Sequence, residues 1–326
     1  MMAPQDSDTP STGMRGMRVL LASDGSQPAE VAHHLVRSVA WPPGSMVRVV
    51  SAVEPLDTAY IASWAAGIGV DVEAAEESAT AQAEAVLEKA ARTLVGTSAT
   101  VERAVLRGRP ASCIVEDARA FMADVIVLGS RGHGTIASMV LGSVAGEVVD
   151  HAPCPVLVAR VPHITRVILA HDGSDFASAA ERTLVEWPLF GHATIEVVAV
   201  SRPPGPWLVP AWAILPEPSI EDHVEAARAE LEHHRQVSEG VARRMRGAGL
   251  RATAVVEVGD PATAIMDVAE AHQADLIAVG THGRSGLERL FLGSVARNVM
   301  QHAHVSVLVV RPATEPAPHG RREGGQ

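Results

Sequence analysis

The sequence has few of the residues that stabilise secreted proteins or form membrane spans. Its 326 residues include two cysteines, Cys113 and Cys154, which do not form a CxxC pair. They indicate neither a disulfide framework nor a zinc knuckle. No apolar run approaches the roughly 18 residues of a membrane span. The first residues also lack the apolar core of a signal peptide, so we expect a cytoplasmic protein without a membrane partner.

Lysines and aromatic residues are scarce as well. Lys89 is the only lysine, aromatic residues make up 3% of the chain, and the formal net charge is −11. Such a chain repels a polyanion on average and has few rings to stack on bases. We therefore expect no nucleic-acid partner. A small anion held by backbone N–H groups stays compatible with this charge, because that binding mode depends on local geometry.

An internal repeat gives the chain its organisation. The segment MRVLLASDGS at residues 17–26 returns as TRVILAHDGS at residues 165–174. The segment from Ala123 to Val149 returns, in the same order, from Ala274 to Met300. A length of 326 residues fits two domains, and a collinear repeat predicts two copies of one domain.

Within each copy, short β-branched runs alternate with longer helical segments, as in βα units around a parallel sheet. The strands predicted in the first copy are Arg18–Ala22, Val47–Val53, Thr100–Leu106, Val125–Leu128 and Val156–Ala159. Its predicted helices are Pro28–Ala40, Val72–Leu94, Ala111–Phe121 and Val144–Asp150. The strands predicted in the second copy, with matching helices between them, are Val167–Ala170, Thr194–Val200, Thr253–Val258, Leu276–Val279 and Ser306–Val310. The predicted fold class is α/β, with five strands per copy and helices on both faces of each sheet.

The repeat also predicts the domain boundaries. We place the two domains at residues 16–160 and 165–311, with a connection too short to act as a flexible tether. The halves should therefore pack side by side. Residues 1–15 and 312–326 offer little to bury, and we expect them to be disordered.

The residues suited to chemistry follow the first and fourth strands of each copy. The first strands end in Asp24 and Asp172, each followed by Gly-Ser and a helix. An aspartate there also suits a simple helix cap, and both interpretations stay open. After the fourth strands, glycines 129 and 132 precede Gly142-Ser143 by the same spacing with which glycines 280 and 283 precede Gly293-Ser294. Glycine allows positive φ and close approach to a ligand, and a helix N-terminus favours phosphate.

This pattern, G-2x-G-9x-G-S with an acid ending the first strand, resembles the ATP-binding subgroup of the universal stress proteins. The resemblance covers both halves. It implies Rossmann-like domains, each a five-stranded parallel sheet of order 3-2-1-4-5. It also implies a first-strand acid near the ribose or adenine, main chain of the second strand near the adenine, and glycine loops that hold phosphates with a divalent metal.

The resemblance implies one adenine-nucleotide site per half. The first would use Ala22, Ser23, Asp24, Ala52, Gly129, Arg131, Gly132, His133, Gly142, Ser143 and Val144. The second would use Ala170, His171, Asp172, Val200, Gly280, His282, Gly283, Arg284, Gly293, Ser294 and Val295. The implied cofactor is ATP with Mg²⁺, which Asp24 and Asp172 would reach through the phosphates. Ala52 stands where the family often has valine, a change that backbone contacts tolerate.

No catalytic residue is predicted. The motifs GxxxxGK[ST], GxGxxG after a first strand, and SGGxDS are absent. We therefore favour a nucleotide-dependent stress or signalling module with an unknown protein partner. Alternatives are a slow ATPase at the same sites and a nucleotide-free interaction scaffold. Neighbouring histidines such as His33-His34 and His233-His234 favour surface or packing roles over metal sites, because adjacent helical side chains point about 100° apart.

Two further expectations concern the regions beside the sites. Residues 55–70 and 203–218 contain aromatic and proline residues, which suit a cover for the sheet edge, a lid or a partner surface. In the implied strand order the last strand of each half ends its sheet. Because apolar edges need covering, we predict an intramolecular pseudo-dimer in which Val156–Ala159 and Ser306–Val310 pair antiparallel about a local two-fold axis. A homodimer of whole chains stays open.

Overall fold

The computed structural model describes residues 15–55, 72–132, 141–202, 220–283 and 292–312. The terminal segments and the aromatic loops singled out in the sequence lie almost entirely outside these ranges. Within the described ranges, no helix is both long and apolar enough to cross a membrane.

Each half alternates strands and helices. The first half contains β1 (Arg18–Ala22), α1 (Gln27–Ser38), β2 (Met46–Val53), α2 (Val72–Thr93), β3 (Thr100–Arg107), α3 (Pro110–Phe121), β4 (Val125–Gly129), α4 (Ser143–His151) and β5 (Val156–Ala159). The second contains β6 (Arg166–Ala170), α5 (Asp175–Glu186), a 3₁₀ turn (Pro188–Phe190), β7 (Thr194–Ser201), α6 (Ile220–Gly247), β8 (Arg251–Val258), α7 (Pro261–Ala271), β9 (Leu276–Gly280), α8 (Ser294–His302) and β10 (Ser306–Val310). Every predicted strand is present, with ends that differ by two residues or fewer.

The ten strands form one sheet of order β3-β2-β1-β4-β5-β10-β9-β6-β7-β8. Each half is parallel and has the predicted order 3-2-1-4-5. The halves join where β5 and β10 pair antiparallel, with Leu157 opposite Leu308. The predicted pairing of the final strands is therefore confirmed.

Two hydrophobic layers cover the sheet. On one face α1, α2, α5 and α6 pack over residues such as Leu21 and Leu169. On the other face α3, α4, α7 and α8 pack over residues such as Leu20 and Ile168. Both layers run across the junction between the halves, because Leu157 and Leu308 belong to the first layer and Val158 and Val307 to the second.

Two arginines hold the junction from opposite sides. Arg160 follows β5, and its guanidinium donates to the carbonyl of Met300 near the end of α8, at 2.5 Å. Arg311 follows β10 and donates to the carbonyl of Val149 near the end of α4, at 2.8 Å. These reciprocal contacts place the carboxyl ends of α4 and α8 at the junction, as the two-fold arrangement predicts.

Candidate functional site

A cavity lies at the carboxyl ends of the parallel strands in each half, where ligands of open α/β sheets bind. The first cavity has a volume of about 380 Å³ and is bounded by β1, β4, α3 and the start of α4. The second cavity has a volume of about 610 Å³ and is bounded by β6, β9, α6, α7 and the start of α8. The strand order reverses at β1/β4 and at β6/β9, so both cavities lie at topological switch points.

The structure brings the described candidate residues together in these two cavities. The first is lined by Ala22, Ser23, Asp24, Ala52, Gly129, Arg131, Gly132, Gly142, Ser143 and Val144. The second is lined by Ala170, His171, Asp172, Val200, Gly280, His282, Gly283, Gly293, Ser294 and Val295. The other two candidates, His133 and Arg284, lie outside the described residues.

Asp24 orients the turn between β1 and α1, but it is not the helix cap. Its Oδ1 accepts a hydrogen bond from the amide of Ser26 at 3.0 Å. Ser26 is the N-cap of α1, and its hydroxyl accepts from the amide of Ala29. In the second half, Asp172 and Ser174 repeat the first contact at 3.0 Å. The helix-cap interpretation of the aspartates is therefore wrong, since the serines cap the helices.

The second glycine of each loop lies against the aspartate. A Cβ added to Gly132 would lie 2.6 Å from Oδ2 of Asp24, and one added to Gly283 would lie 2.8 Å from Oδ2 of Asp172. A side chain at either position would have to displace the carboxylate, so glycine allows the loop to lie this close to the aspartate. This contact brings the loop backbone and one carboxylate oxygen to the same wall of each cavity.

The glycines are required for close approach and not for unusual backbone angles. A Cβ on Gly129 would lie 2.6 Å from the backbone of Pro28, and one on Gly280 would lie 2.6 Å from the backbone of Phe176. The positive φ expected in the loops is instead found nearby, at Gly25 (79°) and Gly173 (86°). Part of the predicted reason for the loop glycines was therefore wrong, although these glycines do line the two cavities.

The helices α4 and α8 begin at the cavities. Gly142 and Gly293 are their N-caps, and neither cap supplies a side-chain hydrogen bond. The amide of Gly142 donates to the carbonyl of Ser130 at 2.9 Å, and that of Gly293 to Thr281 at 2.7 Å. The first-turn amides that follow are therefore not satisfied by a cap side chain. Such a helix end favours an anion.

A buried histidine supports the floor of the first cavity. Nε2 of His33 lies 2.9 Å from the hydroxyl of Ser23, and both side chains are buried. Burial lowers the pKa of His33 to about 4, with only partial compensation from the carboxylate of Glu30. The imidazole is therefore neutral at pH 7.

A charged cluster occupies the same place in the second half. The amide of Gly173 donates to Nδ1 of His171 at 3.1 Å, and Nε2 of His171 lies 3.4 Å from Glu181. Arg244 donates to both oxygens of Glu181, at 2.7 and 2.8 Å. Burial acts to raise the pKa of Glu181, but the contacts with His171 and Arg244 outweigh it and lower the pKa to about 2.

Among the residues that the structure describes, the second cavity also has polar lining side chains that the first does not have. Arg202, Glu230 and His234 line it. His234 is buried, and its Nδ1 lies 2.8 Å from the carbonyl of Glu230. The ring of His282 lies 5.0 Å from that of Phe176. Among the described lining residues, the wider second cavity therefore carries more titratable groups than the first.

Sequence reasoning missed the polar support of both sites. Ser23 aligns with His171, and His33 with Glu181, when the two copies are superposed by the repeat. Both members of the pair change together, which is the signal that could have predicted their contact. The buried partner of each pair lies on the helix that follows the first strand, outside the motif.

The comparisons with known proteins agree with this architecture. The model of the Universal stress protein family matches residues 17–160 and 163–311. The Universal stress protein Rv1996 of Mycobacterium tuberculosis is 29% identical to the chain, with 94% of this chain and 99% of the relative covered. A universal stress protein of Thermus aquaticus is 36% identical, over 44% of this chain and 97% of its own length.

Among solved structures, a universal stress protein from Archaeoglobus fulgidus DSM 4304 has a TM-score of 0.61 to this chain at 19% identity. The match covers 90% of this chain and 98% of that one. At this identity the likeness concerns the fold, and it extends over both halves.

Proposed function

The chain belongs to the universal stress protein family as a tandem, two-domain member, and from that premise we propose that each half binds ATP. In this proposal the bound nucleotide acts as a switch that changes which protein partner is engaged in a stress response. The two sites act as binding sites, and chemistry on the nucleotide is not required for the switch.

The duplicated wall of each cavity carries the proposal. In both halves a glycine loop lies against an aspartate carboxylate, and the next helix begins a few ångströms away with its amides not satisfied by a cap side chain. Backbone amides of this kind bind phosphates. The carboxylate does not attract an anion, so its duplication indicates a ligand that also carries hydroxyls or a cation.

Magnesium fits the sites only together with phosphates. Among the described residues, no group of three metal-binding side chains is present. Asp24 and Asp172 each offer a carboxylate beside the glycine loop. Mg²⁺ is usually held by one or two carboxylates, waters and substrate phosphates. These two aspartates would therefore hold the ion only when a nucleotide supplies the remaining oxygens.

A slow ATPase is the second candidate, and one observation favours testing it in the second half. Glu230 and His234 line the second cavity, whereas Asp24 is the only carboxylate among the described residues that line the first. Because Nδ1 of His234 faces the Glu230 carbonyl, its Nε2 is the nitrogen left to accept a proton. Hydrolysis confined to the second half would support this alternative.

Calorimetry with ATP and Mg²⁺ tests the proposal. We expect close to two equivalents per chain, and we expect adenine nucleotide in the extract of freshly purified, denatured protein by mass spectrometry. CTP serves as the control nucleotide, with the same phosphates and a smaller base. Zero equivalents of ATP would leave the nucleotide-free scaffold as the function.

A further inference from the structure

A third cavity lies at the junction of the halves, outside the two sites described above. Its volume is about 270 Å³. It is bounded by the first turn of α1, by the carboxyl ends of β4 and β5, and by the turn that joins α8 to β10. Both halves therefore contribute to its wall. The volume is just below the range of about 300–1,000 Å³ for drug-sized ligands, so the cavity suits a small molecule.

The charge of this third cavity is of one sign. Arg131, Arg160 and His304 line it, and none of the described lining residues is acidic. Arg131 also lines the first cavity, so the two cavities are neighbours. The overall charge of the chain is negative, at −11, which makes a local group of basic side chains without an acid unusual for this surface.

The guanidinium of Arg160 is held by two hydrogen bonds and has further N–H donors that these bonds do not use. It donates to the carbonyls of Val305 at 3.2 Å and Met300 at 2.5 Å. A guanidinium has five N–H donors, and these contacts use two of them. Burial, with the like charge of Arg131 added, lowers the pKa of Arg160 to about 10. An anion in the cavity would relieve this repulsion.

Ser130 adds a hydroxyl to the wall of the cavity. Its residue exposure is 7%, and it lines the cavity beside Arg131. Its carbonyl accepts from the amide of Gly142, but within the described parts of the chain its hydroxyl makes no hydrogen bond. This hydroxyl is available to donate a hydrogen bond to a ligand oxygen. The amide side chain of Gln27 completes the polar wall.

The corresponding place in the second half is built differently. There the ring of Phe176 lies 5.0 Å from the ring of His282, at the positions that Pro28 and Arg131 occupy in the first half. By the repeat, Asp175 replaces Gln27 and Pro153 replaces His304. Aromatic rings and an acid thus take the place of the open, basic wall.

We propose that the third cavity binds a small anion carrying a phosphate group, held by Arg131, Arg160, His304 and the hydroxyl of Ser130. The guanidinium groups recognise the phosphate oxygens by charge-assisted hydrogen bonds. Because residues of both halves form the wall, the bound anion bridges the junction. This site adjoins the first cavity at Arg131, but Ser130, Arg160 and His304 line the third cavity and not the first, so phosphate binding there does not require that ATP binds.

Titration of the full chain with inorganic phosphate tests the proposal, by calorimetry in a phosphate-free buffer that contains saturating ATP and Mg²⁺. We expect one equivalent of phosphate in the wild type. H304E, which places a carboxylate at an exposed position of the wall, should weaken phosphate binding about tenfold or more, and S130A should weaken it about fivefold. The matched control P153E adds the same charge at the equivalent exposed position of the other half and should leave phosphate binding unchanged.

Two results would overturn the site. The first is the absence of phosphate binding when ATP is present, because phosphate that ATP displaces belongs to the first cavity. The second is a wild-type affinity in H304E. Glycerol 3-phosphate is titrated in parallel, and tighter binding than that of the free ion would identify an esterified phosphate as the ligand, whereas weaker binding would identify inorganic phosphate.

Discussion

In the first half, Ser23 and His33 form a neutral buried pair beneath the cavity, whereas in the second half His171 lies against the ionised carboxylate of Glu181. The backbone around both cavities is nearly the same, from the capping serines to the glycine contacts with Asp24 and Asp172. The wall of each cavity has been kept, while the buried side chains beneath it have changed. Under the proposed function, the main chain that both halves share makes the contacts with the nucleotide, and the support sets how each half responds to pH and to mutation.

The largest expected effect tests what the halves share. G132E and G283E each place a carboxylate where a Cβ would already lie 2.6 or 2.8 Å from an aspartate oxygen. Each change should remove one of two ATP equivalents, because the new charge occupies the phosphate position and repels the ligand. Calorimetric stoichiometry is the measurement, and G247E, where a Cβ would meet no atom within 4 Å, is the control. If one glycine variant still bound two equivalents, the two walls would not be equivalent.

The next prediction is that the two halves lose stability at different pH values. The pKa of His33 is about 4 when folded and about 6.5 when unfolded, so the unfolded state binds the extra proton between these values. The first half should lose up to about 3 kcal/mol of stability as the pH falls from about 6.5 to 4. Glu181, with a folded pKa of about 2 against about 4.3 unfolded, stabilises the second half fully above about pH 4.3. Its contribution is lost only as the pH falls from there towards 2.

Hydrogen exchange at pH 7 and pH 5, corrected for the intrinsic rates, should show β2 losing protection before β7. H33Q removes the titrating group and should abolish this difference. Equal loss of protection in β2 and β7 of the wild type would show that His33 does not set the acid response.

The smallest effect concerns the ion pairs of the two halves. Arg244 is more exposed than Glu181, whose side chain is 9% exposed and receives two hydrogen bonds from it. R244Q should destabilise the second half by about 1–2 kcal/mol, because it leaves a buried carboxylate with fewer partners. The control K89Q removes the exposed contact between Lys89 and Glu30 and should cost less than about 0.5 kcal/mol. Urea unfolding of both variants measures the difference, and equal costs would mean that burial of Glu181 has no energetic consequence.

The strands of the sheet could be predicted from the sequence, because the local pattern of β-branched runs and the internal repeat indicate the same elements. The ends of the helices and strands were harder to predict, because they depend on contacts between residues that are distant in the sequence. Helix α1 ends at Ser38, two residues before the predicted end. There the indole N–H of Trp41 donates a hydrogen bond to the carbonyl of Val36 at 2.9 Å. Strand β8 starts two residues before the predicted start, because Arg251 pairs with Thr194 of the neighbouring strand β7.

The site was predictable in part for the same reason. Motif spacing located the walls of both cavities, since glycine and aspartate act there through the main chain and one short side chain. The support was not predicted, because His33 and Glu181 lie on helices and meet the motif only after packing. The cavity at the junction depends on Ser130 and His304, which come from different halves and have no common motif.

The antiparallel contact between β5 and β10 has a consequence for how the protein can vary. In a dimer of identical chains, each substitution near the symmetry axis is made twice, and both copies must tolerate it. In this tandem chain, a substitution changes only one of the two halves. The hydroxyl of Ser306 accepts hydrogen bonds from the amides of Arg160 and Val161, while its counterpart by the repeat is Pro155, just before β5, which has no hydroxyl. Because the two halves are separate parts of one chain, a residue near the pseudo-two-fold axis can change in one half while its counterpart in the other half stays the same. One half can thus gain a contact that the other lacks.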